Sequence, residues 1–202
     1  MSQRGPIVPP PEGVTRAERE RLLGQRGLVL WLTGLSGAGK STLARALERA
    51  LHDRGRACYV LDGDTLRTGL NEDLGFSPAD RRENVRRLGE VAALFASAGL
   101  IVVVSAISPY AADRERARRR AGPASFREVH VAATLDLCRA RDPKGLYARA
   151  AQGELPDLTG LTPAAPYEPP TAPDLRLDTG TTSLPDCLAA LLALLEHPPT
   201  TG

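Results

Sequence analysis

The sequence predicts an α/β fold, a doubly wound parallel sheet with helices on both faces. Three observations carry that prediction. Strand-like and helix-like segments alternate from residue 28 onward, which implies parallel strands joined by right-handed helical crossovers. The run Ile101, Val102, Val103, Val104 is continuously apolar and β-branched, as a parallel strand buried on both faces requires. A glycine-rich turn, GLSGAGKST at residues 34–42, closes the first strand and opens a helix.

The elements follow in order. Residues 1–13 are proline-rich without periodicity and read as a disordered leader, and 14–24 read as a short charged helix. One domain is expected over residues 14–197, with a tail at 198–202. Its strands are expected at 28–33, 57–61, 100–105 and 126–131, with a short one near 175–177. A helix over 78–98 is signalled by Ser77 as N-cap and Pro78 at the first helical position. Its stripe Val85, Leu88, Ala92 and Phe95 has helical spacing and belongs to the core. A terminal helix over 184–195 repeats the pattern with Leu188, Leu191, Leu192 and Leu195. Residues 153–173 are rich in proline and poor in periodicity, which in a compact domain marks a functional lid, expected over about 141–173.

Composition removes several function classes. At 202 residues the chain has room for one α/β domain with a real core, and its formal charge of +2 gives no polyelectrolyte site for nucleic acid. Arginine is dense between residues 114 and 120, but it alternates with Asp113 and Glu115 and reads as a solvated, ion-paired helix face. Cys58, Cys138 and Cys187 are far apart and lack metal-ligand spacing, so they read as reduced core thiols. His52, His130 and His197 are scattered likewise and receive no chemistry. No apolar run reaches membrane-spanning length, and prolines 9–11 stand where a signal peptide needs an apolar core. A soluble, cytoplasmic protein is expected.

The glycine-rich turn has the spacing of a phosphate-binding loop, which places the fold in the P-loop NTPase type. Gly34, Gly37 and Gly39, with Ser36 and Ala38 between them, keep backbone N–H groups accessible to phosphate oxygens. Lys40 brings a point charge to the outer phosphates. Ser41 offers a hydroxyl to Mg²⁺, and with Thr42 it starts a helix whose dipole favours the anion. These residues imply a bound nucleoside triphosphate.

Three further blocks speak to the acceptor. LDGDTLR places Asp62 and Asp64 at the end of the second strand, where paired carboxylates share metal binding and orientation of an attacking hydroxyl. The third strand ends in Ser105, not in an aspartate, which shifts the metal burden to Ser41 and this pair, Asp62 first. GLNEDLGFSPADRRENVRR sets Arg81 and Asn84 on one face of a helix, with Arg67 and Phe76 before it; an aromatic face, guanidinium groups and a carboxamide suit an adenine-bearing dianion. Arg82, Arg86 and Arg87 are excluded, because Glu83 with Arg87 and Arg86 with Glu90 sit at helical pair spacing. RDPKGLY at residues 141–147 puts Lys144 in a turn leading into the proline-rich segment, as a lid carrying charge.

Taken together, GLSGAGKST, LDGD, the arginine block, ISPY, RDPKGLY, TG and YEPP resemble the adenylylsulfate kinase family from about residue 14 to the last helix. The resemblance implies that ATP phosphorylates the ribose 3′-hydroxyl of adenosine 5′-phosphosulfate (APS), giving 3′-phosphoadenosine 5′-phosphosulfate (PAPS) for sulfate assimilation. It implies Mg²⁺ dependence, a homodimer, and pairing with a separate ATP sulfurylase, since a fused one is not expected at this length. It places residues 37–42 on ATP and Asp64, Arg67, Phe76, Arg81 and Asn84 on the sulfonucleotide, with Ile107 and Ser108 lining the same pocket and Lys144 closing over it. The catalytic candidates are Lys40, Asp62, Asp64 and Ser108. Ser108 is read as a contact residue in direct in-line transfer, against a phosphoserine intermediate, because no base is adjacent and Ser-Pro is also a helix cap. Leu158 stands where the family usually has a second phenylalanine against the adenine, Ala106 and Ala111 replace the ends of FISPYR, and the segment between Gly160 and Tyr167 is slightly long. A kinase with a drifted acceptor and a catalytically silent nucleotide-binding subunit are the competing readings.

Overall fold

The computed structural model describes residues 13–155 and 157–196, so the expected leader up to residue 12, the tail and His197 lie outside the described residues. Five parallel strands form one sheet: β1 (Leu28–Thr33), β2 (Cys58–Asp62), β3 (Ile101–Ser105), β4 (Phe126–Ala132) and β5 (Leu175–Asp178), in the order β2-β3-β1-β4-β5. The helices are α1 (Arg16–Leu23), α2 (Lys40–His52), α3 (Gly63–Leu66), α4 (Pro78–Ser97), α5 (Ala111–Ala121), α6 (Leu135–Arg141), α7 (Leu146–Ala151) and α8 (Leu184–Glu196).

Strand periodicity divides the core in two. Leu30, Leu32, Ile101, Val103, Val129 and Val131 pack on one face against Leu43, Leu47 and Leu51 of α2 and Cys187 and Leu191 of α8. The alternate residues Val29, Trp31, Val102, Val104 and Phe126 pack on the other face against Val85, Leu88, Ala92 and Ala96 of α4 and Ala117 of α5. With both faces covered, β1 and β3 are apolar at every position but their last, Thr33 and Ser105. The winding reverses at β1, which lies between β3 and β4, and the loops at the carboxyl ends of β1, β2 and β3 therefore border one crevice.

Helix α1 begins with a capping box between Thr15 and Glu18. It is fastened under the sheet: Arg16 donates to the Gly27 carbonyl at 2.7 Å, and the following Gln25 side chain donates to the carbonyls of Ala57 (2.8 Å) and Gly99 (2.7 Å).

Most expected boundaries lie within two residues of those observed. The second strand runs one residue further than expected because Asp62 still pairs with Ser105 of β3. Ser77 caps α4 as expected, accepting from the Asp80 N–H. Phe95 is only half-buried and meets the Tyr59 ring edge-on at 5.4 Å. Two readings are corrected. The arginine-rich face of α5 is ion-paired but not wholly solvated, because Arg114 is 2% exposed and turned inward to Glu128. Ser108 is not a helix cap: α5 starts at Ala111 with Tyr110 as N-cap, and Ser-Pro lies in the loop before it. Among the described residues no helix is long and apolar enough to cross a membrane.

Candidate active site

The phosphate loop turns from β1 into α2 with Gly39 as N-cap in the left-handed region. Gly37 has φ 77°, and a Cβ there would stand 2.8 Å from the Cys138 carbonyl oxygen, so neither the backbone nor the space admits a side chain. Lys40 is 8% exposed, and its Nζ donates to the carbonyls of Gly34 (2.8 Å) and Leu35 (2.7 Å). Burial, with the Lys144 charge nearby, lowers the Lys40 ammonium to about 8.

In the first turn of α2, the Ser41 hydroxyl donates to Asp62 Oδ2 at 2.7 Å and lies 3.2 Å from the Ser105 hydroxyl. Asp62 also caps α3 by accepting from the Asp64 N–H at 3.0 Å. Burial pushes the Asp62 carboxyl up, but hydrogen bonds from Ser41 and from backbone N–H groups, together with the Lys144 charge, outweigh it and hold Asp62 below the usual carboxylate range.

The arginine block forms the opposite wall. The Arg67 guanidinium lies 4.4 Å from the centroid of the Phe76 ring and donates to the carbonyls of Leu74 (3.1 Å) and Gly75 (2.9 Å). Phe76 is 65% exposed, which no core phenylalanine is. Arg81 Nε donates to the Phe76 carbonyl at 2.8 Å, and its other nitrogens bond Thr159 Oγ1 and the Asp157 carbonyl, tying the start of α4 to the proline-rich segment. Asn84 accepts from the buried Asn71 amide at 3.0 Å. Lys144 pairs with Asp64 across the opening. By contrast the excluded arginines are engaged elsewhere: Arg86 and Arg87 hold Glu83, and Arg82 covers Tyr110.

A single cavity of about 790 Å³ joins these walls, lined by Ser36, Gly37, Gly39, Lys40, Ser41 and Thr42 at one end and by Asp64, Arg67, Phe76, Arg81, Asn84, Ile107, Ser108, Lys144 and Leu158 at the other, with Asp62 between. Two residues expected at the phosphates stand behind the lining: Ala38 is fully buried, and Gly34 offers its carbonyl to Lys40. Ser108 is 2% exposed, and its Oγ accepts from Trp31 Nε1 at 3.0 Å and donates to the Ala106 carbonyl at 3.4 Å.

The cavity has a further end that the sequence reading missed. Arg141 donates to Thr179 Oγ1 (2.9 Å) and to the Thr179 carbonyl (2.7 Å), Thr179 donates to the Ala38 carbonyl (2.9 Å), and Thr182 and Leu184 continue the lining. The available signal was the Asp178-Thr179-Gly180 turn at the carboxyl end of β5.

The comparisons agree with this geometry. Residues 26–178 match the family model described as adenylylsulphate kinase. The chain is 52% identical over 184 residues to the adenylyl-sulfate kinase of Geotalea uraniireducens, covering 91% of this chain and 88% of that one. It is 52% identical over 191 residues to the adenylyl-sulfate kinase of an Enterobacter species, covering 95% and 94%. Its fold matches the solved Mycobacterium tuberculosis APS kinase in complex with AMPPNP and APS, with TM-score 0.81, 49% identity, and coverage of 86% of this chain and 99% of that one. A phosphate loop facing an aromatic and arginine wall across one cavity, in a chain half identical to such enzymes over nearly its whole length, places this protein in the adenylyl-sulfate kinase family.

Proposed function

We propose that this chain transfers the γ-phosphoryl group of ATP to the ribose 3′-hydroxyl of APS, releasing ADP and PAPS. The observation that carries the reading is the continuous cavity, which joins the phosphate loop to the Asp64–Arg67–Phe76–Arg81 wall with Asp62 between them. In phosphoryl transfer the protein supplies position and charge stabilisation. Lys40 takes the transferring phosphoryl, exchanging its bonds to Gly34 and Leu35 for phosphate oxygens. Asp62, ionised, accepts from or orients the acceptor hydroxyl, and Asp64 shares that task. Phe76 stacks on the acceptor adenine, Arg67, Arg81 and Asn84 hold its polar groups, and Ile107, Ser108 and Leu158 close the pocket.

Among the described residues no cluster of three or more His, Cys, Asp or Glu side chains can cage a metal ion. The oxygen donors Ser41 and Asp62, 2.7 Å apart, instead suit Mg²⁺ and would hold it. Bound there, Mg²⁺ supplies charge neutralisation on the phosphates. Residues 141–173 act as the lid, latched by Lys144 to Asp64 and by Thr159 and Asp157 to Arg81. A cytoplasmic homodimer working with a separate ATP sulfurylase completes the reading.

The test is ADP release by the purified protein with ATP and Mg²⁺, with APS or AMP as acceptor. Turnover preferring APS is expected; equal turnover with AMP, or none with APS, overturns the substrate assignment.

A further inference from the structure

The loop at residues 106–110 carries Ile107 and Ser108 into the acceptor end of the cavity, and Ser108 holds a positive φ of 42° without being glycine. A backbone in that region persists only where its surroundings fix it. Trp31 Nε1 holds the Ser108 hydroxyl from β1, and Thr33 donates to the Ile107 carbonyl at 2.7 Å. From the other side comes Arg114. Its Nη1 donates to the Ser108 carbonyl (2.7 Å), its Nη2 to the Glu168 carbonyl (2.8 Å) and its Nε to the Glu128 carboxylate (2.6 Å).

Glu168 belongs to the YEPP segment at residues 167–170, in the far end of the lid, and its own side chain takes no part in the transfer reaction described above. It is joined once more to that loop and once to the helix after it: its N–H donates to the Pro109 carbonyl at 2.8 Å, and its carboxylate accepts from the Ala111 N–H at the start of α5 at 2.7 Å. Its neighbour Tyr167 lies 3.2 Å, hydroxyl to hydroxyl, from Thr33. Glu128 is itself fixed, since its N–H donates to Asp174, which also holds Arg118.

We propose that Arg114 is a positioning residue for the acceptor. Its guanidinium, oriented by Glu128, clamps the Ser108 loop to the Glu168 end of the lid, so that the pocket wall and the lid's far hinge keep one relative placement. The inference rests on the acceptor pocket of the proposed function. A planar fork with donors in three directions is needed, and an ammonium at the same point cannot serve all three acceptors.

The test compares wild type with Arg114→Lys and Glu168→Ala, measuring KM for APS and for ATP separately, with thermal melting alongside. Arg114→Lys keeps the charge opposite Glu128; it is expected to raise KM for APS about tenfold or more while KM for ATP stays within about twofold. Glu128→Gln, measured in the same way, keeps the shape but removes the charge that orients the guanidinium; a rise of about threefold or more in KM for APS alone is expected. Glu168→Ala leaves the Glu168 carbonyl on Arg114 and is expected to change KM for APS less than either. An unchanged KM for APS in folded Arg114→Lys or Glu128→Gln, or equal rises for both substrates, overturns the clamp. Should Arg114→Lys fail to fold, Glu128→Gln decides. Wild type run alongside separates the two readings: no turnover of APS by wild type overturns the substrate, whereas an indifferent variant beside an active wild type overturns only the clamp.

Discussion

The hydroxyl of Ser41 and the carboxylate of Asp62 meet at 2.7 Å, joining the first turn of α2 to the last residue of β2. The phosphate loop and the acceptor side of the cavity are thereby in direct contact. Asp62→Asn keeps the shape but removes the charge. A fall in kcat of about 100-fold is expected, with both KM values nearly unchanged, as for a group acting mainly in the transition state. Steady-state kinetics check this, and an unaltered kcat removes Asp62 from the chemistry.

Phe76 presents an open ring backed by the Arg67 guanidinium. Because stacking of a base on an aromatic ring contributes about 1–3 kcal/mol, Phe76→Ala is expected to raise KM for APS about tenfold and to leave KM for ATP alone. Equal effects on both substrates would instead give the ring a structural role.

Leu158 lines the same pocket with an aliphatic side chain. Leu158→Phe adds a second aromatic face, worth about 1 kcal/mol, and tighter APS binding by about fivefold is expected in calorimetric titration. No change in affinity would mean that the side chain does not reach the base.

Gly27 lies before β1, and a Cβ there would fall 1.9 Å from the Ala96 carbonyl oxygen at the end of α4. The obstacle is backbone and cannot rotate away. Gly27→Ala is therefore expected to lower stability by about 1–3 kcal/mol and the melting temperature by several degrees, with KM values unchanged. A melting curve superimposable on wild type would refute the close approach.

Burial raises all three thiols: Cys58 is pushed up to about 12, and Cys138 and Cys187 are raised as well. The thiolate is the reactive form, so at pH 8 the native protein should react slowly with a disulfide reagent, and faster as pH rises towards 12. In denaturant all 3 cysteines should react promptly. Rapid labelling of the native protein at pH 8 would contradict the packing of these residues.

Local chemistry made much of this molecule legible in its sequence. The β1 run, the phosphate loop and the Ser77-Pro78 start of α4 are each written in contiguous residues, and short-range rules read them directly. Arg67, Phe76, Arg81 and Asn84, which one segment supplies, line the cavity together. What the sequence hid depends on contacts between distant segments. Arg114 has the spacing of a surface arginine, and only the placement of Glu128 and Glu168 turns it inward. Arg141 and Thr179 border the cavity because α6 and β5 converge behind the phosphate loop, which no periodicity announces. Ser-Pro at residues 108–109 satisfies the local rule for a cap, yet Trp31 and Arg114 hold it as a loop.

The bond from Trp31 to Ser108 has an optical consequence. The chain has 1 tryptophan, fully buried in β1 with its ring stacked at 5.7 Å on Phe126 and its indole N–H directed at the acceptor loop. Tryptophan emission from this protein therefore originates at one place, and that place adjoins the Ser108 loop that lines the cavity. Its wavelength and lifetime are expected to follow a shift of the loop around Ser108, giving a label-free optical probe already built in beside the proposed acceptor pocket.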